Sequence, residues 1–444
     1  MIWEKTIIDP GRFSAKKERT LPQFPEEYNA AAPPLGDICR GRVILYAVHY
    51  FYPKKRGGTE RFTLNIARAA RDAGNRPVVL VLEANEPKSL YSEQCGGILY
   101  RYYEYEGISC IGFRHLKAPP GLYYKDVRLD DGDLREFARL ILEKEGVDLV
   151  HATYPQPFAS FLSECSAAGV PYIVTCTDFA LSCHYSTMVD KRGNFCPRSR
   201  HGERCKDICT TYGCRDFHNR WAAAEELLQS AVLVTVPSEF VARVLSNEFP
   251  RVKFLPVNHG ISKEFTVLRK RFGVRRFVYA GTLSPLKGVH LLVRAFRRIS
   301  REDISLCIYG EGDEKYEQKL RRAADSRIKF CGAACARDMP KIYSEADCVI
   351  VPSMWYETYN FVLREAASTG ALIIAADIGA MSEAIDEGIN GYLFRAGDEE
   401  DLYKKLLLAC DFDFKNYKGK KLPSLSDEGN LYLGVYGAAI NEKD

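Results

Sequence analysis

The sequence has no apolar run close to the roughly 20 residues that a helix needs to cross a bilayer. Its N-terminus also lacks the apolar core of a secretory signal peptide. The formal net charge of +4 is small for 444 residues, which argues against a dedicated nucleic-acid-binding protein. We therefore expect a cytoplasmic protein. Peripheral contact between local basic runs and the inner face of a membrane is kept as an alternative.

Two further absences narrow the function. No Gly-x-Gly-x-x-Gly follows the first predicted strand, which disfavours a dinucleotide-dependent oxidoreductase or a nucleotide-sugar epimerase. No low-complexity tract or short internal repeat is present either. The 15 cysteines are an odd number, and so many would be unusual as disulfides in the cytoplasm. Free thiols together with a metal site fit this content better.

Most of the chain consists of short apolar strands that alternate with amphipathic helices. Because 444 residues exceed what one core usually holds, we expect two domains. Residues 1–41 are predicted to be a polar extension, 42–264 the N-terminal domain, 265–424 the C-terminal domain, and 425–444 a helix packing back on the N-terminal domain. The alternation predicts an α/β fold with two Rossmann-like parallel-sheet domains facing a central cleft.

The stretch Pro352–Glu383 predicts one strand-helix-strand unit. An apolar run ahead of it is typical of a buried strand, Asn360 is a suitable helix cap, and Gly370 suits the end of the helix. Glu357 would then lie in a loop at the carboxyl end of a strand, where open parallel sheets bind ligands. Glu365 would lie one to two turns into the following helix, near the same crevice.

These motifs, in this order, resemble the retaining, family-4-type glycosyltransferases of the GT-B fold. The first-domain part is FYPKKRGGTERFTLNIARAARDAG, and the second-domain parts are YAGTLSPLKGVHLLVRAF, IYGEGDEKYE, EADCVIVPS, the Glu-x7-Glu block with WYET, and DIGAMSE. The resemblance implies transfer of a sugar from a UDP- or GDP-sugar to a hydroxyl of a glycan or lipid-linked acceptor, with retention of anomeric configuration. It also implies that the C-terminal domain holds the donor, that the N-terminal domain holds the acceptor, and that the chemistry needs no metal cofactor.

The resemblance also suggests roles for individual residues. Glu357 matches the first glutamate of the motif and would lie beside the transferred sugar, where a carboxylate stabilises oxocarbenium-like charge. Glu365 matches the second glutamate and would bind the ribose hydroxyls. Lys287 is the candidate cation for the diphosphate, whose charge grows as the glycosidic bond breaks. Asp178 completes the predicted catalytic set with Glu357 and Lys287.

The donor-binding prediction adds glycines, which let phosphate approach the backbone closely, and the N–H groups of a helix start. The full predicted set is Gly57, Gly58, Thr282, Lys287, Gly310, Glu357, Thr358, Tyr359, Asn360, Phe361, Val362 and Glu365.

Two departures from the family pattern leave a second hypothesis open. Thr282 stands where many members have an arginine, and Thr177 stands where the family often has a histidine. The alternative is therefore a non-catalytic nucleotide-sugar-binding protein of the same fold. His151 also lies at a predicted strand end, where it either faces the cleft or satisfies a buried backbone group.

A cysteine-rich insertion, residues 179–216, is the second distinct signal. It has little apolar content to hold a shape, so a tetrahedral thiolate site would anchor it. The preferred ligands for a structural zinc ion are Cys183, Cys196, Cys205 and Cys209, with His184 or Cys214 as possible replacements. Scattered free thiols and a structural disulfide are the alternatives.

Overall fold

The computed structural model describes residues 39–55, 57–117, 126–190, 194–209, 216–266 and 273–441. The predicted N-terminal extension up to residue 38, the middle of the basic linker and Cys214 lie outside these ranges. The chain forms two compact units. The N-terminal unit holds the described residues up to His259 together with those from Ser426 onward, and the C-terminal unit is Gly260–Leu425.

One sheet of nine strands is the centre of the N-terminal unit as described. The strands are β1 (Val43–Val48), β2 (Arg76–Leu82), β3 (Glu93–Cys95), β4 (Ile98–Tyr105), β5 (Ile108–His115), β6 (Leu149–Ala152), β7 (Tyr172–Thr175), β8 (Leu233–Val236) and β9 (Phe254–Pro256). Their order is β3-β4-β5-β2-β1-β6-β7-β8-β9. The order reverses between β1 and β6, and such a switch point opens a crevice at the carboxyl ends of the two strands.

The helices of this unit cover the sheet. They are α1 (Gly58–Asp72), α2 (Gly132–Glu145), α3 (Ala159–Ala167), α4 (Glu203–Ile208), α5 (Phe217–Gln229) and α6 (Glu239–Glu248). Helix α1 buries Phe62, Ile66 and Ala70 on one face, as the apolar spacing predicts. Helix α2 ends at Gly146, whose φ of 62° is the left-handed conformation that glycine adopts at low cost.

The parallel sheet predicted from the sequence is present in the N-terminal unit, with an antiparallel addition at one edge. Strand β4 pairs antiparallel with both β3 and β5, whereas β5, β2, β1 and β6 to β9 run parallel. The connection from β4 to β5 is the two-residue turn Glu106-Gly107, with φ of 52° and 74°. Positive φ at both turn residues is the geometry of a tight hairpin.

The C-terminal unit contains a six-stranded parallel sheet in its described part. The strands are β10 (Arg276–Ala280), β11 (Ser305–Tyr309), β12 (Ile328–Gly332), β13 (Cys348–Val351), β14 (Leu372–Ala376) and β15 (Gly391–Phe394), and the helices are α7 (Val289–Arg297), α8 (Glu314–Ala323), α9 (Met339–Glu345), α10 (Phe361–Ser368) and α11 (Glu399–Cys410). The order β12-β11-β10-β13-β14-β15 reverses between β10 and β13. The switch point of this unit therefore lies at the carboxyl ends of those two strands.

The last helix, α12 (Leu425–Asn441), belongs to the N-terminal unit from Ser426 onward. Its side chains Tyr432 and Tyr436 join the apolar core that β1 and α1 build. None of the helices in the described ranges is both long and apolar enough to span a membrane.

Candidate functional site

The loops that follow β10 and β13 are joined at the switch point of the C-terminal unit. The Met354 backbone N–H donates to the Leu286 carbonyl at 2.7 Å. Gly288 has φ +70° and packs so tightly that an added Cβ would overlap the Pro352 carbonyl oxygen. These backbone contacts hold the loop that carries Lys287 against the loop that carries Glu357.

Glu357 and Lys287, both predicted from the sequence, form an ion pair in this place. The Lys287 ammonium lies 2.6 Å from Oε1 of Glu357. The Ser353 hydroxyl and the Trp355 indole N–H also donate to Oε1, each at 2.7 Å. Lys287 Nζ further lies 4.9 Å from the centroid of the Trp355 ring, a cation–π arrangement.

Ser353 and Trp355 were not assigned a role from the sequence. A signal was available, because residues at i, i+2 and i+4 of an extended segment share one side. Ser353, Trp355 and Glu357 have this spacing in a loop without helix or strand.

These contacts decide the charge of Glu357. Burial alone would raise its pKa, but the Lys287 charge and the hydrogen bonds from Lys287, Ser353 and Trp355 outweigh burial and hold the pKa below its ordinary value. Glu357 is therefore an anion at neutral pH and unsuited to act there as a general acid. An anion of this kind suits the stabilisation of positive charge on a sugar ring.

The backbone of Glu357 is fixed as well. Its carbonyl accepts the Ala380 N–H at 2.8 Å, and Gly379, with φ +67°, lies so close that a Cβ there would approach the Glu357 backbone nitrogen to 2.6 Å. Arg364 on α10 donates to the Ala380 carbonyl at 3.2 Å and stacks on the Tyr359 ring at 3.9 Å. The loop is thus held from both sides.

The helix start predicted at Phe361 is present. Asn360 caps α10 by accepting from the Leu363 N–H at 2.9 Å, and its φ of 64° is one that asparagine tolerates. Thr358 and Tyr359 lead into this cap, and Val362 lies in the first turn.

The remaining predicted donor residues of this unit lie on neighbouring elements. Gly310 follows β11 at φ +145° and packs against the Gly281 carbonyl, where a Cβ would overlap. Thr282 is exposed in the loop after β10, and its carbonyl accepts from the Tyr279 hydroxyl at 2.9 Å. Glu365 is buried on α10, as expected for a residue with a partner.

A second group of side chains gathers at the switch point of the N-terminal unit. His49 follows β1 and Tyr154 follows β6, and their rings stack with centroids 3.7 Å apart. Asp178 follows β7 and accepts the Ala180 N–H at 2.7 Å and a hydrogen bond from Tyr154. Burial raises the pKa of Asp178 to about 7, although those bonds and Arg220 act to lower it. Of these three residues, only Asp178 was predicted from the sequence; His49 and Tyr154 were not.

Gly57 and Gly58 lie at the start of α1 in the same unit. Gly57 precedes the helix, and Glu60 accepts backbone hydrogen bonds there, so this helix start already has a carboxylate partner. Thr177, at the position of the family histidine, accepts a 2.9 Å hydrogen bond from the hydroxyl of Thr59 in the first turn of α1.

The predicted zinc ligands form a local group without a completed tetrahedral site. Burial raises the pKa values of Cys196 and Cys205, and nearby cysteines raise them further: Cys183 and Cys209 for Cys196, and Cys183, Cys196 and Cys209 for Cys205. Within the described ranges, however, the single group of three or more possible ligand atoms within 4.8 Å of one another is His115, Asp131 and Asp133.

That histidine group has contacts that disfavour a metal ion. Nδ1 of His115 accepts the Lys117 N–H at 3.0 Å, so Nε2 carries the proton and faces Asp131 at 3.3 Å. The Lys117 ammonium lies 2.6 Å from Asp133. Because Nε2 carries a proton in this tautomer and Asp133 is already paired with Lys117, we interpret the group as a hydrogen-bond network that contains one ion pair.

Comparison with known proteins identifies related sequences. The family model described as Glycosyl transferases group 1 matches residues 274–411, and the family model described as Glycosyltransferase Family 4 matches residues 56–265. A lipopolysaccharide 1,2-N-acetylglucosaminetransferase of Salmonella typhimurium is 29% identical over 198 residues, which are 40% of this chain and 52% of that protein. The chain thus spans about half the length of the curated relatives it matches.

Solved structures agree on the fold. HepE of Anabaena, crystallised with UDP, aligns with a TM-score of 0.59 and 16% identity over 90% of this chain and 95% of that one. Sucrose-phosphate synthase of Thermosynechococcus elongatus aligns with a TM-score of 0.59 and 16% identity over 90% and 97% of the two chains. At these identities the likeness establishes the architecture, two Rossmann-like domains of the GT-B type.

Proposed function

Because the chain is a family-4-type glycosyltransferase of the GT-B fold, we propose that it transfers a sugar from a UDP- or GDP-sugar to a hydroxyl of a glycan or lipid-linked acceptor. The Glu-x7-Glu block from Glu357 to Glu365 is the feature that supports retention of the anomeric configuration. HepE of Anabaena, a structural neighbour, was crystallised with UDP, so a uridine nucleotide is the first donor nucleotide to test.

The observation that carries the proposal is the Lys287–Glu357 pair at the switch point of the C-terminal unit. A sugar nucleotide presents two charges that change in opposite directions during transfer: positive charge develops on the sugar and negative charge on the leaving diphosphate. An adjacent fixed anion and fixed cation match that distribution. Glu357 would stabilise the sugar, and Lys287 the diphosphate.

The acceptor belongs, in this proposal, to the N-terminal unit. His49, Tyr154 and Asp178 lie at the carboxyl ends of three neighbouring strands, the usual ligand edge of such a sheet. Aromatic rings and a carboxyl group suit a sugar acceptor, which offers both apolar ring faces and hydroxyl groups.

A donor screen tests the proposal. Purified protein should be stabilised against heat by one of UDP, GDP, ADP and CMP, since a ligand at about 100 times its dissociation constant adds roughly 2.7 kcal/mol. Sugar release from the matching donor should then appear and should vanish in Glu357→Ala. Stabilisation without release in the presence of diverse acceptors would favour the alternative, a non-catalytic nucleotide-sugar-binding protein. Absence of stabilisation by any nucleotide would contradict the donor site.

We also propose a structural zinc ion in the cysteine-rich insertion. Cys183 and Cys205 are 9% and 8% exposed, and the pKa of Cys205 is raised by the nearby Cys183, Cys196 and Cys209 within a segment that has few regular elements. Zinc thiolate bonds of about 2.3 Å would draw these sulfurs together and stabilise the segment. The ion would have no part in the transfer step.

A further inference from the structure

The carboxylate of Glu357 is bound on one oxygen only. Lys287, Ser353 and Trp355 all donate to Oε1 at 2.6 to 2.7 Å. Among the described residues, no donor lies at hydrogen-bonding distance from Oε2. A carboxylate oxygen offers about two lone-pair directions, so three donors saturate Oε1. Any further hydrogen bond to Glu357 must go to Oε2.

The three hydrogen-bond donors to Oε1 differ in charge. Lys287 carries a charge that the diphosphate would share, so its bond to Glu357 weakens when a donor binds. Ser353 and Trp355 are neutral, and the bonds they make do not compete for phosphate. Ser353 is 1% exposed, so its hydroxyl has almost no access to water as an alternative hydrogen-bond partner. The bonds from these two residues can therefore persist when Lys287 contacts the diphosphate.

We infer that Ser353 and Trp355 are positioning residues that fix Glu357 with Oε1 occupied and Oε2 presented to a hydroxyl of the transferred sugar. This inference rests on the proposed function for the identity of the ligand. The three hydrogen bonds to Oε1 are present in the protein without a ligand. Replacing either donor should loosen the carboxylate and raise its pKa, because each bond stabilises the charged form.

Trp355 supplies a direct probe of this arrangement. The chain has 3 tryptophans, so a spectrum of protein labelled with ¹⁵N at the indole shows few signals. Trp355→Phe identifies the signal of Trp355 by its disappearance. Because that N–H donates to Glu357, its chemical shift should report protonation of the carboxylate.

The expected result is a Trp355 signal that stays constant as the pH is lowered from 8 to 4.5, the ordinary value for glutamate, and that shifts in one step at lower pH, when Glu357 is protonated. In Ser353→Ala the step should occur at higher pH than in the parent protein, and in Glu357→Gln it should be absent. Ser326→Ala, an exposed serine of the same unit, is the matched control and should leave the signal unchanged. A step in the parent protein above pH 4.5, or one that Ser353→Ala does not move, would overturn the inference.

Turnover provides the second measurement. Ser353→Ala and Trp355→Phe should each lower kcat about tenfold, the usual loss of one hydrogen bond to a charged group, with a smaller change in the KM for the donor. The acid limb of kcat/KM should move to higher pH. A rise in KM alone would contradict a positioning role. The spectrum requires no turnover, so failure of the inference and failure of the proposed transferase activity give different results.

Discussion

Nδ1 of His151 and the hydroxyl oxygen of Tyr436 lie 2.7 Å apart inside the N-terminal unit, although 285 residues separate them in the chain. Nε2 of the same ring lies 2.7 Å from the Thr175 hydroxyl. Burial lowers the pKa of His151 to about 3, so the ring is neutral at physiological pH. His151 is fully buried, as one of the two sequence-based options required, but its partners are side-chain hydroxyls on β7 and α12 and not the backbone group that this option named.

The first prediction concerns this bond. Tyr436→Phe leaves one nitrogen of a buried imidazole without its hydrogen-bond partner, which should cost about 1–3 kcal/mol of unfolding free energy. Tyr432→Phe is the matched control, since its hydroxyl bonds to Thr235 at 3.1 Å while Thr235 and Thr175 also bond to each other at 2.6 Å. Urea unfolding of both variants measures the difference. Equal losses would contradict a special role for the His151–Tyr436 bond.

Local signals explain which parts of the fold and site were predictable. Asn360, Phe361 and the loop position of Glu357 follow from capping chemistry and the alternation of strands and helices. The β4–β5 hairpin was not predicted although Glu106-Gly107 is a turn signal, because the tyrosine-rich strand before it does not alternate strictly between apolar and polar residues. The partners of His151 depend on tertiary packing, for which one sequence carries no local signal. The spacing of Ser353, Trp355 and Glu357 indicates a shared side, but not the single oxygen on which the two donors converge.

The second prediction is a pH dependence of stability from Asp178. Its pKa is raised from 3.8 to about 7 in the folded protein, so its contribution is fully present below about pH 4 and is lost as the pH rises through about 7. This displacement corresponds to on the order of 4 kcal/mol. The free energy of unfolding should therefore fall between pH 4 and 7 more steeply in the parent protein than in Asp178→Asn.

Glu143, an exposed residue of α2, gives the control for this experiment. Glu143→Gln should keep the pH dependence of the parent protein. A Glu143→Gln variant that behaves like Asp178→Asn would show that net charge, and not the Asp178 carboxyl, produces the slope.

The third prediction separates a steric clash from backbone strain at two glycines. Gly288 and Gly332 have nearly equal φ, +70° and +72°, but a Cβ would overlap Pro352 at Gly288 and meet no atom within 4 Å at Gly332. Gly332→Ala should cost only the left-handed strain, about 1–2 kcal/mol. Gly288→Ala should cost more, and it should weaken nucleotide binding because it displaces the neighbouring Lys287. Calorimetric titration with UDP measures the second effect, and equal UDP affinities would disprove the predicted displacement.

The last prediction tests the zinc proposal. Protein purified without chelators should contain about one zinc ion per chain, and Cys183→Ser or Cys205→Ser should lower that content, because each removes a thiolate ligand. Cys331→Ser removes an exposed thiol of the C-terminal unit and should leave the zinc content unchanged. A chelator should lower the melting temperature of the parent protein but not that of the two ligand variants. If the parent protein holds no metal and its insertion thiols react as quickly as Cys331, the insertion carries free thiols, whereas thiols that react only after reduction would indicate a disulfide.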